Sequence, residues 1–291
     1  MNHSPAALTR LPEWFRQEIP GDLSDGRLEL ISGLNLHTVC QEARCPNLEQ
    51  CFRRQELTFL ILGDVCTRSC AFCAIKKSKG QPLPLDTDEP LRVAQAVEKL
   101  KLKYVVVTSV TRDDLPDSGA GIFAKTITAI RGLDLLAKIE VLIPDLGGSP
   151  LSLKTIVNAS PDVLAHNLET VPRLYPALRP QANYKHSLRL LSTAKDFSSA
   201  LRTKSSLMLG LGEKEAEIIS VMEDLRRHHC DCLTLGQYLA PSGGHFPVRE
   251  FIPPEAFRRY RLIAEGLGFK AVSSGPLVRS SYKAEQLYAA I

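Results

Sequence analysis

From residue 57 onward, short apolar segments of strand length alternate with longer segments whose apolar residues recur at helical spacing. The predicted strands lie at 57–62, 103–110, 138–144, 162–168, 204–212 and 232–240, and the predicted helices lie at 89–102, 123–133, 151–159, 186–200, 213–228 and 253–268. Strands that are joined by crossover helices run parallel and are buried on both faces, which explains their nearly continuous apolar character. This alternation predicts an α/β fold around one parallel sheet.

The chain contains six such strand–helix units, fewer than the eight that close a complete parallel barrel. We therefore expect an incomplete (β/α)6 parallel barrel with N- and C-terminal extensions. The expected division is an N-terminal extension at 1–56, the barrel at 57–270 and a C-terminal extension at 271–291, and both extensions are expected to cover the open side. Reactive groups in parallel α/β folds lie on loops that follow the carboxyl ends of the strands, so functional residues are expected there.

The composition excludes several classes of protein. The net charge is +4 without a run of basic residues, so nucleic acid is not an expected partner. No segment is long and apolar enough to cross a membrane, and residues 1–17 lack the apolar stretch of a signal peptide. We therefore expect a cytoplasmic protein with no membrane partner. Because that compartment is reducing, the eight cysteines are expected to be ligands rather than disulfides.

Three cysteines lie in the loop after the first predicted strand. Cys66, Cys70 and Cys73, here called the first triad, have the spacing Cys-x3-Cys-x2-Cys in the segment CTRSCAFC. Thiolates favour zinc, copper(I) or iron–sulfur clusters, and structural zinc sites usually take four ligands as two separated pairs. Three cysteines with no nearby histidine instead fit three corners of a cubane cluster, whose fourth iron stays open to a substrate or cofactor. A zinc site that borrows Cys51 is the alternative.

A second set of cysteines precedes the predicted barrel. Cys40, Cys45 and Cys51, here called the second triad, have the spacing Cys-x4-Cys-x5-Cys. Their closeness in sequence to the first triad favours a second cluster, and a structural metal site is the alternative. The remaining Cys230 and Cys232 lie two residues apart, and if both are on one strand they are expected to face the same side, as small buried packing residues.

The first triad, with Phe72 directly before its last cysteine, resembles the signature of the radical S-adenosylmethionine superfamily. Within that superfamily the chain is similar to the lipoyl synthases along nearly its whole length. The motifs that carry the resemblance are CQEARCPNLEQC, LGDVCTRSCAFCAI, TSVTRDDLPDSGA, IEVLIPDL, HNLETVPRLY, MLGLGE, YLAPS and GPLVRSSY. The resemblance implies an incomplete six-unit barrel, two [4Fe-4S] clusters and S-adenosyl-L-methionine as cofactors.

The resemblance also implies which residues bind S-adenosylmethionine. Thr108 and Ser109 end the second predicted strand, where family members contact the methionine amino group, and Arg112 adds a charge nearby. Gly210 and Glu213 match the stretch that shapes the adenine pocket, although Ser206 and Met208 replace the first glycine and the isoleucine of that motif. The alternative readings are a solvated loop after the second strand and an ordinary turn after the fifth.

Further candidates follow the fourth predicted strand. Asn167 and Glu169, together with His166, are expected to contact the cofactor ribose or the lysyl end of the substrate, and a hydrogen-bonded strand end is the alternative. Arg179 and Arg189 are weaker candidates for positioning the cofactor or substrate.

The resemblance supplies the fourth ligand of the second cluster from the C-terminal motif Arg279-Ser280-Ser281-Tyr282. We favour Ser281, with Ser280 as the alternative. An alkoxide is a harder ligand than a thiolate and bonds iron less characteristically, which suggests a ligand that leaves so that the cluster opens. From the residues alone, either serine could instead cap a helix.

Lipoyl synthases insert two sulfur atoms at C6 and C8 of an octanoyl chain that is amide-linked to a lysine. No side-chain acid or base removes hydrogen from such unactivated carbons, so a cofactor has to supply a radical. The resemblance implies that the first triad holds the cluster that cleaves S-adenosylmethionine to a 5′-deoxyadenosyl radical. It implies that the second triad and Ser281 hold the cluster that gives up its sulfur and is later rebuilt.

The resemblance also implies partners. They are octanoylated lipoyl domains of 2-oxoacid dehydrogenases, the glycine-cleavage carrier protein, an electron donor such as ferredoxin or flavodoxin, and iron–sulfur cluster assembly or carrier proteins. Biotin synthases and methylthiotransferases are rival readings with related chemistry, but the former lack both the N-terminal triad and the RSSY tail, and the latter carry extra domains. A zinc-binding interaction module is the rival reading without catalysis.

Overall fold

Strands and helices alternate along the chain in the computed structural model, which describes residues 10–16, 26–80, 84–133 and 136–291. Residues 1–9 and 17–25 of the predicted N-terminal extension, which include part of the segment considered above for a signal peptide, lie outside the described residues. The strands are β1 (His37–Thr38), β2 (Thr58–Ile61), β3 (Val65–Cys66), β4 (Lys76–Lys77), β5 (Tyr104–Ser109), β6 (Lys138–Leu142), β7 (Val163–Ala165), β8 (Arg202–Leu209), β9 (Cys232–Gln237) and β10 (Ala271–Gly275). The α-helices are α1 (Arg27–Gly33), α2 (Val39–Glu42), α3 (Leu48–Arg53), α4 (Glu89–Leu100), α5 (Ala120–Arg131), α6 (Pro150–Asn158), α7 (Tyr175–Leu178), α8 (Tyr184–Phe197), α9 (Glu215–Arg227), α10 (Pro254–Gly266) and α11 (Ala284–Ala289). Short 3-10 helices lie at Glu13–Phe15, Leu146–Gly148 and Pro172–Leu174.

The main sheet is parallel and open, as the sequence predicts. Its eight strands follow the order β1-β2-β5-β6-β7-β8-β9-β10, and every neighbouring pair is parallel except β1 with β2. Strands β2 and β5 to β9 with helices α4, α5, α6, α8, α9 and α10 are the six predicted units. Within the described residues, β1 and β10 are the two end strands and no ladder joins them, so the expected incomplete barrel is confirmed.

Strand β10 was not predicted from the sequence. It pairs in parallel with β9 from Ala271↔Cys232 to Gly275↔Gly236 and adds a seventh parallel strand inside the predicted C-terminal extension. The segment AVSSG was not predicted because it is short and half polar, and only Ala271 in it is buried. The C-terminal part of the chain therefore begins by extending the sheet.

Alternate residues of the strands face two different sets of partners. Val105 and Val107 of β5 belong to the large core that the helices cover, whereas Tyr104 and Val106 pack against Ala284 and Tyr288 of the C-terminal segment. This division follows from the alternation of side chains along a strand. Helix α11 therefore lies against the amino end of β5 on the inner face of the sheet.

A buried ion pair lies on the same inner face. Lys204 Nζ of β8 is 2.7 Å from Glu140 Oε1 of β6, and both side chains are 1% exposed. The hydroxyl of Tyr104 donates to Glu140 Oε2 at 2.8 Å. Burial and the neighbouring carboxylate raise the pKa of Tyr104, so this hydroxyl keeps its proton. The three side chains link β5, β6 and β8 near their amino ends.

Cys230 and Cys232 are both buried, as predicted, but they do not face the same side. Cys230 precedes β9 and packs in the large core, while Cys232 is the first residue of β9 and packs with Ala271 and Leu287. The alternation rule fails here because it applies only within a strand.

The helices of the described ranges include none with both the length and the apolar character needed to span a membrane.

Candidate functional site

The loop that carries the first triad crosses the carboxyl end of the sheet. It leaves β2 through Leu62 and Gly63, whose φ angles are +69° and +85°, and its strand β3 pairs with β4. Backbone hydrogen bonds attach it to segments that follow other strands: Thr67 N to Thr111 O (3.0 Å), Ala71 N to Leu178 O (2.9 Å) and Phe246 N to Ala71 O (2.9 Å). The loop is thus held from several sides.

Arg68, which lies inside the first triad, makes the strongest of these attachments. Its guanidinium donates to Asp145 Oδ1 and Oδ2 (both 2.7 Å) and to Asp113 Oδ1 and Oδ2 (both 2.8 Å). The side chains of Arg68 and Asp145 are 9% and 7% exposed. Burial alone would raise the pKa of Asp145, but the hydrogen bonds and charge of Arg68 outweigh it and hold that pKa below its usual value. Arg68 therefore fixes the loop to the ends of β5 and β6, a role that the sequence did not indicate.

Replacing Arg68 with Met is expected to lower the free energy of unfolding by about 3–5 kcal/mol, because it leaves Asp145 buried without its partner. In the variant, burial is no longer opposed by Arg68 and raises the pKa of Asp145 above its unfolded-state value of about 3.9, so the loss is largest above that raised pKa. The loss shrinks as the pH falls through the raised pKa of the variant and then through the lowered pKa of the parent, because Asp145 is then protonated in both proteins. Urea unfolding of the two metal-free proteins at neutral and acidic pH measures this difference.

Arg173→Met is the matched control, because Arg173 pairs with Glu217 at 2.7 Å on the surface. Exposed ion pairs add little stability, so this variant should unfold like the parent protein. Equal losses in the Arg68 and Arg173 variants would contradict the structural importance of the buried bridge.

The thiols of the first triad influence one another electrostatically. Burial, with smaller contributions from Cys70 and Cys66, raises the pKa of Cys73 to about 12. Burial also raises the pKa of Cys70, while the charge of Arg179 opposes that shift. The thiols are free, and without a metal the two raised pKa values keep Cys70 and Cys73 protonated at neutral pH.

The second triad lies at the opposite end of β2. Cys40 is in α2, Cys51 is in α3, and Cys45 lies between these helices with its N–H donating to Cys40 O at 3.1 Å. Burial raises the pKa of Cys40 to about 11, although a hydrogen bond from the Thr58 backbone opposes it. Burial raises the pKa of Cys51 to about 12, and both other thiols add to the shift. Thr58 is the first residue of β2, so the first triad follows the carboxyl end of this strand and the second triad lies beside its amino end.

The two candidate serines of the C-terminal motif point to different neighbours. Thr58 Oγ1 donates to Ser281 Oγ at 2.8 Å, so Ser281 and the Cys40 thiol both contact Thr58. Ser280 Oγ instead donates to Asn167 Oδ1 at 3.0 Å, at the carboxyl end of β7. The residue that caps α11 is Lys283, without a side-chain hydrogen bond. The alternative in which either serine caps a helix is therefore wrong.

Several of the predicted cofactor residues gather at the carboxyl ends of β5 and β7. Thr108 Oγ1 donates to Leu142 O (2.7 Å), and Asn167 Nδ2 donates to Glu169 Oε1 (3.0 Å). Arg179 Nη1 donates to the carbonyl oxygens of Asn167 (3.0 Å) and Leu168 (3.1 Å). Burial raises the pKa of Glu169, opposed by the charge of Arg179 and the hydrogen bond from Asn167. Arg179, the weaker sequence candidate, thus lies with Asn167 and Glu169.

Other predicted residues have structural partners of their own. Arg112 is buried and donates to Asp114 Oδ2 (2.8 Å) and Leu62 O (3.4 Å). The Glu213 carboxylate accepts from the backbone N–H groups of Gly210 and Leu211 and shapes the turn after β8. A Cβ atom at Gly210 would overlap the Gln237 side chain and the Glu250 carbonyl, so that position has no room for one.

His166 directly precedes Asn167 but is engaged in hydrogen bonds of its own, and Arg189 is exposed. His166 contacts Ile143 O and Ser187 Oγ, both at 2.8 Å, and burial lowers its pKa to about 4. For His166 these contacts support the alternative interpretation, in which its side chain forms hydrogen bonds at the end of a strand and does not contact cofactor or substrate. Arg189 is exposed beside a cavity of about 310 Å³ that Asp145 and His186 also line.

The donor atoms fit the cofactors that the superfamily requires. Each triad offers three free thiols, which suit iron–sulfur clusters. Ser109 Oγ and Arg179 Nε are buried polar atoms that lack a hydrogen-bond partner among the described residues, and such atoms are rare without a ligand or water. Nowhere in the described ranges do three His, Cys, Asp or Glu side chains converge closely enough to enclose a single metal ion.

Comparisons with known proteins identify the family. Residues 60–225 match the model of the Radical SAM superfamily. Curated proteins named lipoyl synthase are similar along nearly the full chain. The protein from Caldicellulosiruptor bescii is 53% identical over 94% of this chain and 94% of its own length. The protein from Geotalea uraniireducens is 53% identical over 96% of this chain and 98% of its own length. The protein from Geobacter sulfurreducens is 54% identical over 94% of this chain and 90% of its own length.

Solved structures agree on the fold. Methylornithine synthase superimposes with a TM-score of 0.57 at 15% identity over 71% of this chain, and HydG, a maturase of the [FeFe]-hydrogenase, with 0.60 at 14% identity over 74%. The chain spans 61% and 50% of those proteins, so at such identities they show the fold alone. The curated relatives share about half of their residues with this chain over nearly its full length, and they show that the chain belongs to the lipoyl synthase family of the radical S-adenosylmethionine superfamily.

Proposed function

We propose that the two triads hold two [4Fe-4S] clusters with different tasks. In this proposal Cys66, Cys70 and Cys73 hold the cluster that cleaves S-adenosylmethionine. Cys40, Cys45, Cys51 and Ser281 hold the cluster that donates sulfur. The observation that carries the division is the position of the triads at opposite ends of β2, which is four residues long. Since a strand rises about 3.3 Å per residue, the ends of β2 are about 10 Å apart.

As a lipoyl synthase, the chain is a radical sulfurtransferase that converts a protein-bound octanoyl-lysine into lipoyl-lysine. When bound, the clusters and S-adenosylmethionine supply the carbon radical that removes hydrogen at C6 and C8 and the sulfur that replaces it. The protein has to hold the octanoyl chain between the two triads and keep water away from it. The inner face of the sheet between the ends of β2 suits this task, with α11 packed against its amino side.

The residues at the carboxyl ends of the strands suit the binding of S-adenosylmethionine. Ser109 and Arg179 have polar atoms without a partner in the described ranges, which they could offer to a ligand, and Asn167 and Glu169 lie beside Arg179. We assign Thr108, Gly210, Glu213 and Arg112 to the walls of the same pocket. Arg112 and Glu213 act there by shaping loops, since their charged groups are already engaged.

The same proposal extends to partners and location. Lipoyl synthases act on lipoyl-carrier proteins, and we propose lipoyl domains of 2-oxoacid dehydrogenases and the glycine-cleavage carrier protein as substrates. A ferredoxin or flavodoxin would supply electrons, and cluster assembly proteins would rebuild the second cluster. Free thiols in such number suit a reducing compartment, so we propose the cytoplasm.

The function is tested by incubating the anaerobically reconstituted protein with an octanoyl-lysyl peptide, S-adenosylmethionine and dithionite. We expect the peptide to gain two sulfur atoms in mass spectrometry, with 5′-deoxyadenosine released alongside. A protein that binds zinc and no iron under these conditions would instead be an interaction module.

The choice between the two serines is tested by Ser281→Cys. A thiolate is a softer ligand that holds iron more firmly than an alkoxide, so the second cluster should assemble but release sulfur more slowly. We expect sulfur insertion to fall about tenfold or more, the scale of effects seen when the surroundings of a metal are altered. Peptide mass spectrometry and iron analysis measure the two quantities.

Ser280→Cys is the matched control. Ser280 contacts Asn167 rather than the second triad, so the variant should keep the parent's iron–sulfur spectra at the second cluster. If Ser280→Cys changed those spectra and Ser281→Cys did not, the ligand would be Ser280.

A further inference from the structure

Arg279 is a positively charged side chain beside the second triad that has no carboxylate partner among the described residues. Its guanidinium donates one hydrogen bond to the part of the chain that the structure describes, from Nη1 to the neighbouring Val278 O at 2.8 Å. The residue is half-buried; desolvation lowers the pKa of its guanidinium, and Cys45 opposes that shift. Arginine nevertheless stays protonated in proteins, so the charge persists.

Two other interior arginines of the site are paired with carboxylates. Arg68 bridges Asp113 and Asp145, and Arg112 is paired with Asp114 at 2.8 Å. Arg179 has no such ion pair, but the charge of the Glu169 carboxylate acts on it. Arg279 differs from all three, because among the described residues the ionisable group that acts on its charge is the Cys45 thiol and not a carboxylate.

The backbone on both sides of Arg279 is held in place. Asn47 Nδ2, from the segment between Cys45 and Cys51, donates to Leu277 O at 2.6 Å. A Cβ atom at Gly236 of β9 would overlap the Val278 carbonyl, which shows how closely this segment packs on the sheet. Ser280 and Ser281 are bonded to Asn167 and Thr58, so Arg279 has little freedom to turn away from the second triad.

An unpaired charge that is largely removed from water destabilises the protein that contains it. In the metal-free protein the second triad consists of free thiols, which are mostly neutral at neutral pH, so they do not compensate Arg279. Iron binds these cysteines as thiolates, and a cluster with three thiolate ligands and one alkoxide ligand carries net negative charge. Loading the second triad thus creates the anion that Arg279 lacks.

We propose that Arg279 is a positioning residue whose charge pairs with the second cluster and stays uncompensated until that cluster is built. This inference rests on the proposed assignment of the second triad. Its consequence is a side chain with opposite effects in the two states: it weakens the metal-free fold and strengthens the loaded one. Because the second cluster binds the folded protein and pairs with Arg279, its binding stabilises the loaded form relative to the metal-free form.

The proposal is tested with Arg279→Met and Arg279→Lys, compared in metal-free and loaded protein. In urea unfolding of the metal-free protein, Arg279→Met should lower the unfolding equilibrium constant about threefold or more, because an unpaired charge is replaced by an apolar side chain of similar length. In the loaded protein, EDTA should extract iron from the second cluster of the Arg279→Met variant faster than from the second cluster of the parent. Arg279→Lys keeps the charge and should resemble the parent in both measurements.

The reduction potential of the second cluster gives a readout that a purely structural role would not move. Without the positive charge, adding an electron is less favourable, so Arg279→Met should shift the potential to more negative values. A tenfold change in the one-electron equilibrium corresponds to about 59 mV, and we expect a shift of roughly this size. Arg112→Met is the matched control: it should weaken the metal-free protein, because Asp114 loses its partner, and leave that potential unchanged.

If Arg279→Met destabilised the metal-free protein and left the potential of the second cluster unchanged, Arg279 would be an ordinary packing residue and the inference would be wrong. If the loaded parent protein showed no second four-iron cluster by electron paramagnetic resonance, the proposed function itself would fail. The two failures are therefore distinguishable.

Discussion

The Cys70→Ala variant is expected to form no 5′-deoxyadenosine above background. Cys70 is the central member of the first triad, and a cubane held by two remaining thiolates loses one of its corners. Outer-shell partners of a metal are already worth about 10–100-fold in affinity or activity, so losing a direct ligand should cost more than about 100-fold. Chromatographic measurement of 5′-deoxyadenosine, together with iron analysis, tests the expectation, and iron should fall to the content of one cluster.

Cys230→Ala is the control for this substitution. Cys230 is fully buried in the large core, outside both triads, and donates from Sγ to Cys232 O at 3.2 Å. Removing its sulfur should lower stability slightly and leave both clusters in place. Formation of 5′-deoxyadenosine by Cys70→Ala at the rate of this control would show that the first triad does not hold the radical-generating cluster.

The Cys45→Ala variant is expected to separate the two halves of the reaction. The second triad lies beside the amino end of β2, so losing Cys45 should leave the first triad and its neighbours at the carboxyl end intact. We expect 5′-deoxyadenosine to be formed at a substantial fraction of the parent rate while sulfur insertion falls more than about 100-fold. Measuring the nucleoside and the peptide mass in the same reaction tests this.

The separation of roles depends on the contrast between the two variants. If Cys45→Ala and Cys70→Ala lost nucleoside formation equally, one task could not be assigned to each triad. If Cys45→Ala still inserted both sulfur atoms, the donor would lie elsewhere.

The parallel sheet was predictable because its strands are buried on both faces and therefore nearly continuous in apolar residues. Strand β5 illustrates this: its first five residues, Tyr104–Thr108, are all buried, and the predicted range 103–110 contains it. Strand β10 was missed because its position is decided by pairing with β9 rather than by its own composition. Tertiary pairing, which local patterns do not show, fixed that element.

The candidate site was predictable where chemistry follows sequence spacing. The two triads stand in short windows, so both groups of cysteines could be proposed as ligands from the sequence alone. Arg68 was missed because its partners Asp113 and Asp145 are 45 and 77 residues away along the chain. Arg279 was missed because the absence of a counter-charge is a property of the folded surroundings.

The length of β2 sets the distance between the two triads. The two triads lie beside its opposite ends, so in the proposed assignment its rise determines the gap that the octanoyl chain has to bridge. Two inserted residues would keep the inward-facing register but lengthen the gap by about 7 Å, and one inserted residue would turn Thr58 away from Ser281. In the proposed assignment, insertions in the loops around the triads should therefore be tolerated more readily than insertions in this strand, whose residue count sets the distance between the two clusters.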